Sequence, residues 1–264
     1  MRPRFLIGAV VSAALAATLA VAAPAFAADV PSAPVISGPA SSAVVAYTFA
    51  VTGRVGLTTT AIRVDGASAF TFALSEPDAT GRTFTAQVTV PYGRTDLQVL
   101  AGDGVLWSAQ SGLRVWALGM TPAKDRMVLV DKSDFMLYVI RSSRVVEAFP
   151  IATGMRSTAT PVGTFHLGRP VPPGAGGRVW GPFRMPLLKY RHVRVTRIVH
   201  RNGRHVRVRR TVHRMRRTAY YIHGTSDPSS IGTRASHGCV RMFNSDLRVF
   251  RTLTVRNQYT VIRP

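Results

Sequence analysis

The eleven residues RHVRVTRIVHR (191–201) recur almost unchanged as RHVRVRRTVHR (204–214), agreeing at nine of the eleven positions. Asn202-Gly203 joins the two copies. Both residue types accept positive φ, so the pair favours a type I′ hairpin turn. That turn fixes a register: Arg201 faces Arg204, Val199 faces Val206, Val195 faces Arg210, and Val193 faces Val212. Strand side chains alternate, so Val193, Val195, Val199, Val206, Val208 and Val212 share one face. The opposite face is expected to be cationic, and away from the turn no arginine is expected directly opposite another. The surrounding segment, 189–217, holds 12 of the chain's 34 lysines and arginines, four histidines and no acid. Three readings stand open: a solvated basic arm, an arm lying against an anionic polymer, or a lid.

Charge narrows the surroundings. The 264 residues carry a formal net charge of +22, which argues for an anionic neighbour. The N-terminus reads as an export signal over 1–27: basic Arg2 and Arg4, an apolar run, then Ala25-Phe26-Ala27. Cleavage there removes two arginines and lowers the charge from +22 to +20. An uncleaved anchor, with membrane contact, is the competing reading. Export favours wall polymers over nucleic acid as the partner.

The organisation is mainly β. Residues 28–41 are rich in Pro, Ser and Ala and read as a linker. From 42 to 118, short alternating runs such as YTFAVTG and FTAQVTVPYG end in turn residues, as in an immunoglobulin-like β-sandwich, here without a cysteine pair. A second domain spans 122–264, with strands at 127–131, 135–141 and 145–152. A short helix follows Asn244, expected as its N-cap, with Asp246 in the first turn and Leu247 and Phe250 inward.

The single cysteine, Cys239, rules out an intrachain disulfide. Outside the cytoplasm such a thiol is buried and inert, paired between chains, or reactive. A reactive thiol needs a base or a positive field. His237, two residues before it, and His223, 16 before it, are both candidates. Gly238 lets the backbone approach a substrate, so SHGC combines a nucleophile with oxyanion donors. A zinc site from His223, His237 and Cys239 lacks a second cysteine or a compact carboxylate set.

The stretches IHGT, SIG and SHGCVRM, taken in order, resemble the signature of the L,D-transpeptidases, the YkuD-like catalytic domain. The resemblance extends through LVDKSDFMLYVI, FPIATGMRSTATPVGTF and WGPFRMPL, over about 124–264 apart from the basic insertion. It implies Cys239 as nucleophile and His223 as base and later acid, with Gly224 supplying a carbonyl that orients the imidazole. It implies backbone donors from His237, Gly238 and Cys239, loop support from Ser236, and substrate contacts from Arg241 and Tyr221. The implied reaction is 3→3 cross-linking of peptidoglycan stem peptides through a thioester, with no cofactor or metal and with carbapenem-sensitive chemistry. The same acyl-enzyme would serve an L,D-carboxypeptidase or a protein-to-peptidoglycan ligase, and a non-catalytic wall-binding protein is the remaining alternative. The resemblance also makes the basic hairpin a candidate enlarged lid.

Overall fold

The computed structural model describes residues 30–264, and the expected signal at 1–27 lies outside them. Eight strands come first: β1 (Val35–Gly38), β2 (Ala43–Val45), β3 (Thr48–Val55), β4 (Ala61–Asp65), β5 (Ala69–Leu74), β6 (Arg82–Thr89), β7 (Gly93–Gly102) and β8 (Ser111–Ala117). One sheet runs β1-β3-β6-β5 and the other β4-β7-β8-β2, with β2 parallel to β8. This is the A-B-E-D and C-F-G order of an immunoglobulin-type sandwich, with a short extra strand beside the last. Alternation drives it: on β6, Phe84, Ala86 and Val88 are buried while Thr83, Thr85 and Gln87 between them are exposed. The linker expected at 28–41 is corrected. Val35–Gly38 pairs with β3, Val35 opposite Arg54, because Ile36 packs against the sandwich core.

The second part contains β9 (Arg126–Asp131), β10 (Met136–Arg141), β11 (Arg144–Gly154), β12 (Gly163–Leu167), β13 (Arg184–Arg201), β14 (Arg204–His223), β15 (Arg234–Ser236), β16 (Val240–Met242), α1 (Asn244–Leu253) and β17 (Tyr259–Arg263). Its strands follow the order β10-β9-β17-β12-β13-β14-β16-β11, and β11 pairs back onto β10. The sheet therefore closes on itself and leaves no open edge around its core. That core includes Val128, Leu137, Ile151, Phe165, Ile222 and Val240, plugged by Leu247 and Phe250 of α1. The helix begins one residue earlier than expected in capping terms: Phe243 holds the N-cap position with no side-chain cap bond, and Asn244 is already helical.

β9 and β10 are buried on both faces. Val128, Val130, Leu137 and Val139 face the closed core, while Met127, Leu129, Tyr138 and Ile140 face the sandwich side. Trp116 of β8 meets Tyr138 edge-on, ring centroids 5.5 Å apart. A polar clamp lies beside this apolar seam. Asp131, buried at 1 % exposure, accepts from Ser133 Oγ at 2.6 Å, from Arg263 at 2.7 Å, and from the Tyr92 hydroxyl of the sandwich. Burial alone would raise the Asp131 pKa, but the bonds from Ser133, Tyr92 and Arg263 hold it below the ordinary carboxylate value.

The hairpin forms with the register read from the sequence, Arg201 opposite Arg204 through Val193 opposite Val212. One expectation about its charge is corrected. Arg191 lies directly opposite Arg214, and Lys189 opposite Arg216. The valine face also carries Arg197 and Arg210, since both lie an even number of residues from the valines of their own strand, so both faces are cationic. Among the described residues no helix is long and apolar enough to cross a membrane.

Asp131→Asn should destabilise the fold by about 3 kcal/mol, because it leaves the Arg263 guanidinium without its carboxylate. Calorimetry should show a midpoint lowered by roughly 6–12 °C. The folded carboxyl is depressed, so its contribution is present above the unfolded pKa and fades as pH falls through the folded one. Wild type should therefore lose its advantage over the variant in acid, and an equal gap at pH 7 and pH 2 would refute the clamp.

Candidate active site

Two backbone pairs set the site. β14 and β16 run parallel, with Ile222 beside Val240 and His223 beside Arg241. Ile222 and Val240 both point into the core at 0 % exposure. Alternation then puts Tyr221, His223, Cys239 and Arg241 on the opposite face. Continuing the register places Cys239 next to Tyr221 and makes His223 its diagonal neighbour. His237 is exposed and makes no side-chain hydrogen bond among the described residues, so of the two candidate histidines only His223 is built into this face.

The His223 ring is oriented by its own chain. Nδ1 lies 2.5 Å from the Gly224 carbonyl oxygen. A carbonyl only accepts, so Nδ1 carries the proton and Nε2 presents its lone pair. The indole of Trp180 covers the imidazole, centroids 4.6 Å apart, and the Trp180 carbonyl accepts the Gly224 N–H at 3.1 Å. Burial pushes the His223 pKa down to about 4. The Gly224 bond opposes that shift, and the charges of Arg241 and Arg184 add to it. Burial likewise pushes the Cys239 thiol up, against the Tyr221 backbone N–H and the same two arginines. The resting pair is thus a neutral imidazole and a neutral thiol at pH 7.

Ser236 ties the cysteine loop. Its hydroxyl accepts the Gly238 N–H at 3.0 Å and donates to the Cys239 carbonyl at 2.6 Å. The Gly238 N–H expected as an oxyanion donor is therefore already engaged, and the expectation is corrected on that point. Glycine is required there all the same: φ is +109°, and a Cβ would meet the Tyr220 ring at 2.6 Å.

Three contributors were not read from the sequence. Trp180 sits in the segment WGPF, which carried the resemblance without a role. Asn244, expected as a helix cap, instead accepts the Thr225 N–H with Oδ1 at 3.1 Å. That same oxygen lies 2.1 Å from where a Cβ on Gly224 would stand. Arg184 stacks over Trp180 and Tyr221, 5.1 Å and 5.0 Å from their centroids. Its Nε, like that of Arg241, is buried without a hydrogen-bond partner, and among the described residues no carboxylate pairs with either. Local signals for these were absent, because each acts through contacts distant in sequence.

The hairpin is not the cover over this face. His223 ends β14, while the turn at Asn202-Gly203 lies at the other end of the same strand, roughly 60 Å away along it. The segment over His223 is instead the 3₁₀ turn Gly174–Trp180. Among the described residues no three His, Cys, Asp or Glu side chains group as metal ligands, and zinc at His223, His237 and Cys239 has no support here.

Residues 125–259 match the YkuD family, the L,D-transpeptidase catalytic domain. The chain is 32% identical over 107 residues to YkuD of Bacillus subtilis, provisionally named an L,D-transpeptidase, covering 40% of this chain and 46% of that protein. It is 29% identical over 130 residues to the same-named protein of Bacillus licheniformis, covering 48% and 59%. The chain thus spans about half the length of these two relatives. Among solved structures, an L,D-transpeptidase from Mycobacterium smegmatis aligns over 88% of this chain and 99% of its own, at 15% identity and a TM-score of 0.35. One from Stackebrandtia nassauensis aligns over 55% and 58%, at 19% identity and a TM-score of 0.37. With the family match covering just over half of its length, the chain belongs to the YkuD family of L,D-transpeptidase catalytic domains.

Proposed function

We propose that this protein is an exported peptidoglycan L,D-transpeptidase that forms 3→3 cross-links through a thioester on Cys239. The observation that carries the reading is the shared face of β14 and β16. It joins a lone thiol to an imidazole whose tautomer is set by the Gly224 carbonyl. Cys239 Sγ attacks the carbonyl of the third stem residue while its proton passes to His223 Nε2. The S–C bond forms, the C–N bond to the terminal D-alanine breaks, and Nε2 returns the proton to the departing amine. An amine of a neighbouring stem then attacks the thioester, gives up a proton to Nε2 and releases the thiol. Backbone N–H groups of His237 and Cys239 face the developing oxyanion. The energy of the original peptide bond is kept in the thioester, so no nucleotide is needed outside the cytoplasm.

Arg184 and Arg241 supply the substrate side, with the Tyr221 ring beside them. Two unpaired guanidinium groups next to a buried base suit a substrate carboxylate. Burial makes the resting imidazole a weak base, and the charges of these two arginines add to that effect. A bound carboxylate cancels that field and raises the basicity of His223 in the complex.

A disaccharide-tetrapeptide donor, incubated with and without a stem amine, separates the outcomes by mass spectrometry. Wild type should give the 3→3 dimer and Cys239→Ala none. Tripeptide alone would make the protein a carboxypeptidase, transfer only to a protein amine would make it a ligase, and dimer from Cys239→Ala would overturn the nucleophile. A carbapenem should add one acyl mass to wild type and nothing to Cys239→Ala.

The pH profile tests the electrostatics. The acid limb of kcat/KM reports the free enzyme and should fall near pH 4, whereas the limb of kcat should lie higher, in the complex. A kcat/KM limb between pH 6 and 7 would contradict a buried, arginine-flanked imidazole. Gly224→Ala would drive a methyl into Asn244 Oδ1 and against Gly181 Cα at 3.0 Å. It should lower kcat by about 100-fold with little change in KM, as expected for a base displaced by an ångström. A loss under threefold would show that this crowding does not position His223.

A further inference from the structure

The basic hairpin is a lone two-stranded ribbon, and such ribbons are marginal in water unless something covers them. Among the described residues, no side-chain hydrogen bond or ion pair links 191–214 to any other element. Its cross-strand rows alternate between two faces. On the face away from the valines, five consecutive rows are His192/His213, Arg194/Thr211, Thr196/Arg209, Ile198/Arg207 and His200/His205. Every row therefore carries at least one basic side chain. Three arginines occupy the middle, and a facing histidine pair closes each end. The pairs are in contact: ring centroids are 3.9 Å apart in the first and 4.1 Å in the second, where the two Nε2 atoms lie 3.2 Å apart.

We infer that this face is a docking track for a linear polyol phosphate, a polymer of phosphodiesters separated by short polyol units. Rows on one face recur every two residues, about 6.8 Å. A phosphodiester chain with a three-carbon spacer contains as many backbone bonds per phosphate as two peptide residues, so its charges repeat at about the same distance when extended. One phosphate per row then meets one cationic row. The inference is independent of the acyl-transfer chemistry, since the track and Cys239 lie toward opposite ends of β14.

Two other polyanions fit less well. Single-stranded nucleic acid shares the charge spacing, but its binders add aromatic stacking platforms, and 191–214 contains no Phe, Tyr or Trp. An anionic membrane surface calls for an apolar face rich in Trp, Phe or Leu, whereas the valine face is interrupted by Arg191, Arg197, Arg201, Arg204, Arg210 and Arg214. The histidine pairs add a pH dependence. Histidine changes charge between pH 5 and 8, and a phosphate beside it favours the charged form. The charged neighbours of the pairs are the ribbon's own arginines, with Lys189 and Arg216 at its base; no acid lies within 189–217.

The test uses the signal-cleaved protein and end-labelled synthetic poly(glycerol phosphate), with binding read by fluorescence anisotropy. Lowering pH from 7.5 to 5.5 should tighten binding about tenfold, as two or more exposed ion pairs form. The slope of log affinity against log salt should steepen by about 1.4, for two added contacts on a flexible polyanion. The variant H192N/H200N/H205N/H213N should keep the pH 7.5 affinity and lose the gain at pH 5.5. R194Q/R207Q/R209Q should lose most binding at both, while R197Q/R201Q/R210Q on the valine face should lose much less. Unchanged thermal midpoints would show that the variants fold. The inference is overturned if affinity is independent of pH, if both arginine triples cost the same, or if phosphatidylglycerol vesicles or single-stranded DNA of equal charge bind as tightly at the same salt.

Discussion

The pairing of Ile222 with Val240 is the contact on which the site depends. Both side chains belong to the closed core, and both strands are held in register by it. Because the strands run parallel and alternate, burying this pair obliges Tyr221, His223, Cys239 and Arg241 to stand together on the outer face. A slip of one residue in either strand would send the thiol or the imidazole into the core. The site is therefore as secure as the apolar packing beneath it. Phe250 and Leu247 of α1 fill the same core, while Asn244 at the start of that helix reaches the loop after His223.

The outer face disfavours charge on both His223 and Cys239. His223 is buried under Trp180, bonded through Nδ1 to a carbonyl that cannot give up its geometry, and flanked by two cations. Burial and the two cations disfavour an imidazolium, the Gly224 bond opposes them only in part, and burial also disfavours a resting thiolate at Cys239. A neutral pair resists oxidation and stray alkylation, since the thiolate is the reactive form. The two arginines act in opposite senses on the pair, disfavouring the imidazolium and favouring the thiolate.

What the sequence made legible followed from short-range rules. The Asn202-Gly203 turn and strict alternation gave the hairpin register, and β-runs between turn residues gave the sandwich and the mainly β class. A motif pointed to His223 and Cys239, and the pairing of β14 with β16 brings them to one face. The rest depended on contacts between distant segments. Asn244 looked like a cap because Asn favours that position, yet its amide oxygen is taken by Thr225 from another loop. Gly238 looked like an oxyanion donor because of its place beside the thiol, until the Ser236 hydroxyl is seen to claim its N–H. The stretch 28–41 read as linker by composition, although Val35–Gly38 pairs with β3 and Ile36 packs against the sandwich core. The cationic valine face was in principle available from parity alone, since Arg197 and Arg210 have the same parity as the valines of their strands.

The ribbon raises a separate question of stability. Cross-strand pairs such as Arg191 with Arg214 and Lys189 with Arg216 bring like charges together, which disfavours pairing. Only valines and Ile198 offer apolar contact, and Ile198 and Val206 remain 60 % and 40 % exposed. Loss of chain entropy over some two dozen residues is large against so little burial. Salt would relieve the repulsion partly, because charges on adjacent rows lie within a Debye length of about 8 Å at physiological ionic strength. A polyanion does more, since it replaces diffuse counterions with fixed charges spaced like the rows. The two histidine pairs extend that effect to the ends of the track as pH falls. Ribbon order and polymer binding are in this way linked: whatever neutralises the rows also favours the strand pairing that presents them.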